Sequence, residues 1–136
     1  KIKKYFQLHP QVQQFFSNGN SEVSLHWQDS EYGLNCKARL DWFDSDSRKI
    51  IDLKFTINIS NSSKIKPLNN DFALQANWYT RGVYKLTNIN TDFFFIFIER
   101  YAPHSIKVIQ VSHKEIIKVQ EQIDHVINNI NQTKSI

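Results

Sequence analysis

Residues 93–98 restrict the fold of this chain more than any other stretch, because all six side chains are large and apolar. Successive side chains of a β-strand point to opposite faces of its sheet. A strand made only of apolar residues is therefore typical of a sheet that is covered on both faces. The run predicts a central strand with helices packed on either side.

Residues 36–56 predict a β-hairpin, because apolar and polar side chains alternate along both arms. In the first arm, one face carries Cys36, Ala38, Leu40 and Trp42, and the other carries Lys37, Arg39 and Asp41. In the second arm, one face carries Ile51, Leu53 and Phe55, and the other carries Ile50, Asp52, Lys54 and Thr56. Between the arms, residues 44–47 have the short polar side chains of a turn.

A loop of residues 44–47 places Asp41 opposite Ile50 and diagonal to Asp52 on the same face, about 7–8 Å away. Two carboxylates at this spacing can close on one metal ion, and Lys54 stands beside them. Because Asp52 lies in a strongly apolar run, we expect it to be buried, where a carboxylate needs a partner cation or a metal. We therefore favour an active site over a solvated strand face with a cross-strand ion pair.

The remaining patterns complete the element order α-β-β-β-α-β-β-α. They predict a short helix that ends at residue 16, a strand over 22–27, a polar linker over 58–70, a helix over about 70–86, a strand over 105–111 and a helix over about 114–131. The buried stripe of the long helix is Phe72, Ala76, Tyr79, Val83 and Leu86; that of the last helix is Ile116, Val119, Ile123, Val126, Ile127 and Ile130. This order predicts an α/β fold, α+β in looser schemes, with a mixed central sheet flanked by helices.

Length and composition limit the class of protein. A chain of 136 residues, 40% hydrophobic and 13% aromatic, suits one globular domain. The net charge of +4 is compatible with a polyanionic partner. The single cysteine excludes an internal disulfide and a cysteine-rich metal cluster. No apolar stretch approaches the ~20 residues of a membrane span, and we expect a cytoplasmic protein.

Four short sequence blocks, taken in order along the chain, resemble the conserved blocks of a known family. They are Glu22-Val23-Ser24-Leu25-His26-Trp27, Cys36-Lys37-Ala38-Arg39-Leu40-Asp41-Trp42, Asp52-Leu53-Lys54 and Gln75-Ala76-Asn77-Trp78-Tyr79. Asp41 followed by Asp52-x-Lys54 resembles the signature of the PD-(D/E)xK nuclease superfamily. The four blocks together resemble the exonuclease VIII-like branch of the RecB-type exonucleases, over nearly the whole chain.

This resemblance implies a restriction-endonuclease-like core and assigns roles to the site residues. Asp41 and Asp52 would be metal ligands, with the Leu53 carbonyl as a third, and their hard oxygens select Mg²⁺ or Mn²⁺. Lys54 would orient or deprotonate the attacking water. Gln75 would border the metal pocket together with Tyr79; the alternative is a boundary glutamine beside a core tyrosine.

Three further residues keep two interpretations each. Glu22 is either an outer metal ligand or an exposed strand residue. Lys37 and Arg39, predicted on the same face as Asp41, either meet DNA phosphates or balance the carboxylates. The sequence pattern does not decide between the two interpretations of any of these residues.

The resemblance implies a metal-dependent DNA exonuclease that acts on linear duplex ends in recombination or repair. It also implies homo-oligomers and a single-strand annealing protein as a partner. The alternatives are an endonuclease of the same fold and a non-catalytic nucleic-acid-binding module. We expect one nuclease domain over residues 1–136. No residue clearly matches the upstream helix histidine of RecB-type nucleases, which implies either incomplete N-terminal elements or a lineage that relies on Glu22.

Overall fold

Five strands form one mixed sheet in the computed structural model, which describes residues 9–57, 59 and 69–134. The strands are β1 (Asn20–Asp29), β2 (Leu34–Asp44), β3 (Lys49–Thr56), β4 (Asp92–Glu99) and β5 (Ile106–Val111), in that spatial order. β3 and β4 pair in parallel, and the other neighbours pair antiparallel. The predicted mixed sheet is thereby confirmed.

Within the described ranges, four helices accompany the sheet. They are α1 (Pro10–Gln13), continued by a 3₁₀ turn over Gln14–Phe16, then α2 (Asn70–Thr87), α3 (His113–Lys118) and α4 (Gln120–Lys134). α2 lies in the crossover that a parallel strand pair requires. The predicted last helix is divided at Val119, and its first part begins with a capping box formed by Ser112 and Glu115.

β4 lies inside the sheet, and both of its faces are buried. Phe93, Phe95 and Phe97 belong to the core beneath α2. Ile96 and Ile98 belong to a second core, on the opposite face, together with Val12 of α1. The coverage of both faces that the apolar run predicts is confirmed, and α+β is the fold class.

The hairpin register differs by two residues from the predicted one. Asp44 pairs with Lys49 and Phe43 with Ile50, so the loop is 45–48 rather than 44–47. Asp44 stays in β2 because its Oδ1 accepts a hydrogen bond, 3.0 Å long, from the Ser47 amide. Extending this register places Asp41 opposite Asp52 rather than opposite Ile50.

The alternation of side chains along β2 reverses after Leu40. Leu40 faces α2, but Trp42 packs on the opposite face against Phe16, with ring centroids 5.2 Å apart. The predicted common face of Leu40 and Trp42 is therefore wrong. The position opposite Asp41 in β1 belongs to Glu22, whose φ of 53° interrupts the extended backbone. The reversal turns Asp41 toward the face that carries Asp52.

The predicted helical stripes are wrong at their ends. Ala76 and Val83 of α2 are buried, but Leu86 in the last turn is exposed. α4 packs against α2 and α3 and buries a narrower stripe than predicted, which leaves Val126 and Ile130 exposed. Most of the predicted linker, residues 58 and 60–68, lies outside the described residues. None of the helices in the described ranges combines the length and apolar character that crossing a membrane requires.

Gly82 allows α2 to approach β1. A Cβ at this position would lie 2.7 Å from an atom of the Trp27 ring, which is buried. Alanine usually stabilises a helix relative to glycine by about 1 kcal/mol. We expect Gly82→Ala to do the opposite and to lower the free energy of unfolding by about 1–3 kcal/mol, as overpacking does.

Chemical denaturation of the two proteins measures this effect. The matched background is Trp27→Phe, which lacks the ring atoms that a Cβ at position 82 would meet. The loss caused by Gly82→Ala should shrink in that background. An equal loss in both backgrounds would contradict the steric explanation.

Candidate active site

Asp52 lies on β3 beneath α2, and its side chain is almost fully buried. The Gln75 side-chain amide on α2 donates a hydrogen bond of 3.1 Å to its Oδ1. Lys54, two residues along the same strand face, places Nζ 3.0 Å from its Oδ2. The three side chains form one contiguous group in which α2 and β3 each contribute.

Asp41 joins this group from β2. Its Oδ2 accepts a hydrogen bond of 2.8 Å from the backbone amide of Leu53. The bond falls just beyond Trp42 and Ile51, the last residues at which β2 and β3 pair. A carboxylate thus takes the place of a backbone acceptor and holds Asp41 next to Asp52.

The Lys54 ammonium lies in an aromatic setting. Nζ is 5.6 Å from the ring centroid of Phe72 and 5.8 Å from that of Phe95. Both distances allow cation–π attraction. The rings therefore help to hold the ammonium beside Asp52.

The electrostatics of the group centre on Asp52. Burial raises the pKa of this carboxyl to about 7. The positive charge of Lys54 opposes the increase, and the negative charge of Asp41 adds to it. The raised pKa of Asp52 therefore shows that a second negative charge beside Asp41 is costly in this buried group.

The carboxylate pair suits a divalent cation. Asp52 Oδ2 is buried and makes no hydrogen bond of good geometry. Its close contact is the ion pair with the Lys54 ammonium. Buried carboxylate oxygens are the donors that Mg²⁺ and Mn²⁺ prefer. Within the described ranges, no three His, Cys, Asp or Glu side chains are grouped to hold a metal. Asp41 and Asp52 would hold the ion, with the Leu53 carbonyl as the predicted third donor.

Other predicted residues are placed elsewhere. Glu22 and Arg39 form a pair of their own at 3.3 Å, and both are largely exposed. Lys37 and Arg39 project from the face opposite Leu40, since side chains alternate along this part of β2. Their predicted shared face with Asp41 is therefore wrong, because the alternation reverses between Leu40 and Asp41. Their roles toward DNA, and that of Glu22 toward a metal, stay predictions.

Tyr79 lies one turn beyond Gln75 on α2. Its ring centroid is 6.1 Å from that of Phe93, and the residue is partly buried against the main core. The contact fits a core tyrosine, and its predicted role beside the metal pocket stays a prediction.

A buried ion pair on β1 was not predicted from the sequence. Asp29 is fully buried and accepts two hydrogen bonds from Arg81, of 2.8 and 2.9 Å, and one from Trp27. Burial would raise the pKa of Asp29, but these hydrogen bonds lower it to about 2. The available signal was position, since Asp29 continues the buried phase of Leu25 and Trp27.

A family model matches the chain over residues 1–136 and is described as a PDDEXK-like domain of unknown function (DUF3799). The chain belongs to this PDDEXK-like family. The predicted membership of the PD-(D/E)xK superfamily is thereby confirmed. The roles of Asp41, Asp52 and Lys54 within this family stay predictions.

Solved structures share the fold of this PDDEXK-like domain. A candidate exonuclease from Eubacterium rectale gives a TM-score of 0.81 at 16% identity, over 98% of this chain and 52% of that chain. The protein SSO0001 gives 0.51 at 13% identity, over 90% of this chain and 56% of that one. The PDDEXK-like domain thus spans about half the length of these proteins. No curated protein matches it.

The charge of Asp52 should destabilise the metal-free PDDEXK-like domain. An unfolded aspartate titrates near pH 3.9, about three units below the folded value. Between these values the native state holds a proton that the unfolded state has released, so stability falls as pH rises from about 4 to 7. We expect Asp52→Asn to raise the melting temperature in EDTA, more at pH 8 than at pH 4.

Asp29→Asn is the matched control, because its carboxyl has a lowered pKa. The stability from its ionised form is present above about pH 4 and is lost as pH falls toward 2. Asp29→Asn should therefore lower the melting temperature at pH 8. Thermal unfolding from pH 3 to 8 measures both variants; a lower melting temperature for Asp52→Asn at pH 8 would contradict the explanation.

Proposed function

We propose that this PDDEXK-like domain is a metal-dependent deoxyribonuclease that hydrolyses phosphodiester bonds from linear duplex ends. The observation that supports it best is the group of Asp41, Asp52, Lys54 and Gln75. Two carboxylates are held side by side, an ammonium lies 3.0 Å from one of them, and an amide fixes that carboxylate from α2.

Each residue of the group has a distinct task in hydrolysis. Asp41 and Asp52 would hold Mg²⁺ or Mn²⁺ together with the Leu53 carbonyl. The chemistry that such an ion would supply, when bound, is an activated water and neutralisation of charge on the reacting phosphate. Lys54 orients the attacking water and offsets phosphate charge. Gln75 positions the Asp52 carboxylate through its hydrogen bond.

The biological setting follows the family resemblance. By resemblance to exonuclease VIII-like enzymes, the domain would act in recombination or repair in the cytoplasm. It would form homo-oligomers and have a single-strand annealing protein as its partner. An endonuclease of the same fold is the second candidate. The intact carboxylate and lysine group argues against a third candidate, a binding module without turnover.

The deciding experiment compares two substrates. End-labelled linear duplex and covalently closed circular DNA are incubated with the chain in Mg²⁺, Mn²⁺ or EDTA. An exonuclease degrades only the linear DNA, and only with metal. Cleavage of the circle would favour the endonuclease. Binding without cleavage under all metal conditions would contradict the enzyme proposal.

Lys54→Ala should separate chemistry from binding. A charge that acts on the transition state is worth on the order of 10²–10³ in rate. One phosphate-facing charge contributes much less to affinity, because several such contacts hold the backbone. We expect cleavage to fall by about that factor, while DNA affinity in Ca²⁺ changes only modestly.

Gel-shift and single-turnover assays measure the two quantities for Lys54→Ala. Lys107→Ala, a partly exposed lysine on β5, is the control for loss of one positive charge. A parallel loss of affinity and rate in Lys54→Ala would place this lysine in DNA binding rather than in catalysis.

Gln75→Ala tests the positioning of Asp52. Because Gln75 is only partly buried and contributes one side-chain bond, we expect the melting temperature to change little. Activity should fall at least several-fold, and Gln75→Glu should fall further since it adds a negative charge beside Asp52. Normal specific activity with a large loss of stability would instead indicate a boundary residue.

A further inference from the structure

Phe72 lies in the first turn of α2, where its ring faces the charged end of Lys54. The Lys54 Nζ is 5.6 Å from the centroid of this ring. The residue packs against the main core but is itself only partly buried. An aromatic side chain at this place contacts the candidate site as well as the core, so its role extends beyond filling space.

Two rings of β4 restrain the orientation of Phe72. The ring centroids of Phe95 and Phe97 lie 5.1 and 5.5 Å from that of Phe72. In the parallel pairing of β3 with β4, Phe95 stands beside Asp52 and Phe97 stands beside Lys54. Phe72 therefore rests on the two rows of the sheet that carry the ion pair, and it cannot turn away from Lys54 without losing these contacts.

The ion pair alone restrains Lys54 weakly. A lysine ammonium sits on a flexible four-carbon stem, and the Lys54 side chain is 30% exposed. Ion pairs that water can reach contribute little, because water competes for the charges. A further attractive contact therefore decides how much of the time the ammonium stays 3.0 Å from Asp52 Oδ2 rather than in solvent.

An aromatic ring supplies such a contact where an aliphatic side chain does not. The face of the ring carries partial negative charge and attracts a cation that lies within about 6 Å of its centroid. A leucine at the same place would also exclude water, but it would leave the charge against apolar surface, which costs free energy. Position 72 thus requires the electron density of a ring and not only its bulk.

Gln75 makes a matching contact from the same face of α2. Residues three apart on a helix are neighbours. Gln75 donates its hydrogen bond to Asp52 Oδ1, while Phe72 faces the Lys54 ammonium. The first two turns of α2 therefore hold both members of the ion pair in place.

We propose that Phe72 is the positioning residue of Lys54. Its ring holds the ammonium beside Asp52, in the place from which Lys54 acts on the attacking water. The inference rests on the proposed hydrolysis and adds to it a residue that no part of the nuclease signature contains. Because the ring acts through Lys54, its loss lowers the rate of the chemical step and leaves DNA affinity unchanged.

Fluorinated phenylalanines at position 72 test the attraction at nearly constant shape. Successive fluorine atoms withdraw charge from the ring face and weaken its attraction for a cation. We expect the single-turnover cleavage rate in Mn²⁺ to fall stepwise with one, two and three fluorines, by about five- to ten-fold in total. DNA affinity in Ca²⁺ should not change. A rate that is independent of the number of fluorines would overturn the proposal.

The same fluorinated series at Phe93 is the matched control. Phe93 contacts Phe95 in the same core, but it pairs with Ile50, which lies four residues before Lys54 on β3 and roughly 13 Å away. Fluorination at position 93 should leave the cleavage rate unchanged. An equal fall at positions 72 and 93 would indicate a general effect on the core and would overturn the assignment.

A double-mutant cycle separates positioning from packing. Phe72→Leu should lower the melting temperature, because aromatic contacts with β4 are lost, and should also lower the cleavage rate. In the Lys54→Ala background the melting temperature should fall again, but the rate should change little, because no ammonium is left to position. A fall in rate of equal size in both backgrounds would contradict a role through Lys54.

NMR of the metal-free domain in EDTA needs no turnover, so it distinguishes a failure of this inference from a failure of the proposed hydrolysis. A ring face shields the protons that lie over it. The ε-methylene protons of Lys54 should therefore resonate upfield and should move downfield in Phe72→Leu. Lys49, which lies over the rings of Phe15 and Phe94, should keep its shifts. Lys54 protons without an upfield shift, or with a shift that Phe72→Leu does not alter, would overturn the proposal.

Discussion

The burial of β3 on both faces is the constraint from which the candidate site follows. Ile50 and Ile51 are fully buried on opposite faces, and the parallel pairing with β4 extends along the whole strand. Any side chain at position 52 must therefore enter a dry environment. A carboxylate there costs free energy unless a cation compensates its charge. Lys54, on the same strand, supplies the cation, and Gln75 of α2 donates a hydrogen bond to the same carboxylate.

The sequence was sufficient to predict the features that depend only on how apolar and polar side chains alternate along a strand. Alternation along β3 placed Asp52 and Lys54 on one face, and the all-apolar β4 predicted cover on both sides. The hairpin register was not accessible in the same way. Residues 44–47 and 45–48 are both acceptable loops by composition, and the observed loop is the one in which Asp44 accepts hydrogen bonds from Ser47 and Asp46. A shift of one residue in the loop moved the pairing by two.

Features that depend on tertiary contacts were also beyond the sequence. The bond between Asp29 and Arg81 joins residues that are 52 positions apart. The reversal of β2 after Leu40 occurs opposite Glu22, whose left-handed backbone is a conformation that glutamate seldom adopts. The position of Asp29 in the alternation signals its burial, but neither its partner Arg81 nor the reversal of β2 has a local sequence signature.

The hydrogen bond from the Leu53 amide to Asp41 makes one side chain serve two purposes. It joins β2 and β3 just beyond their last backbone pair and also supplies one of the two carboxylates. An amide oxygen accepts the same bond, so asparagine at position 41 keeps the two strands joined there while it removes the charge. Alanine removes the bond between the strands and leaves the Leu53 amide to water. Architecture and chemistry are thus separable at this position by a single atom, and a comparison of the two replacements distinguishes a folded, uncharged site from a locally opened one.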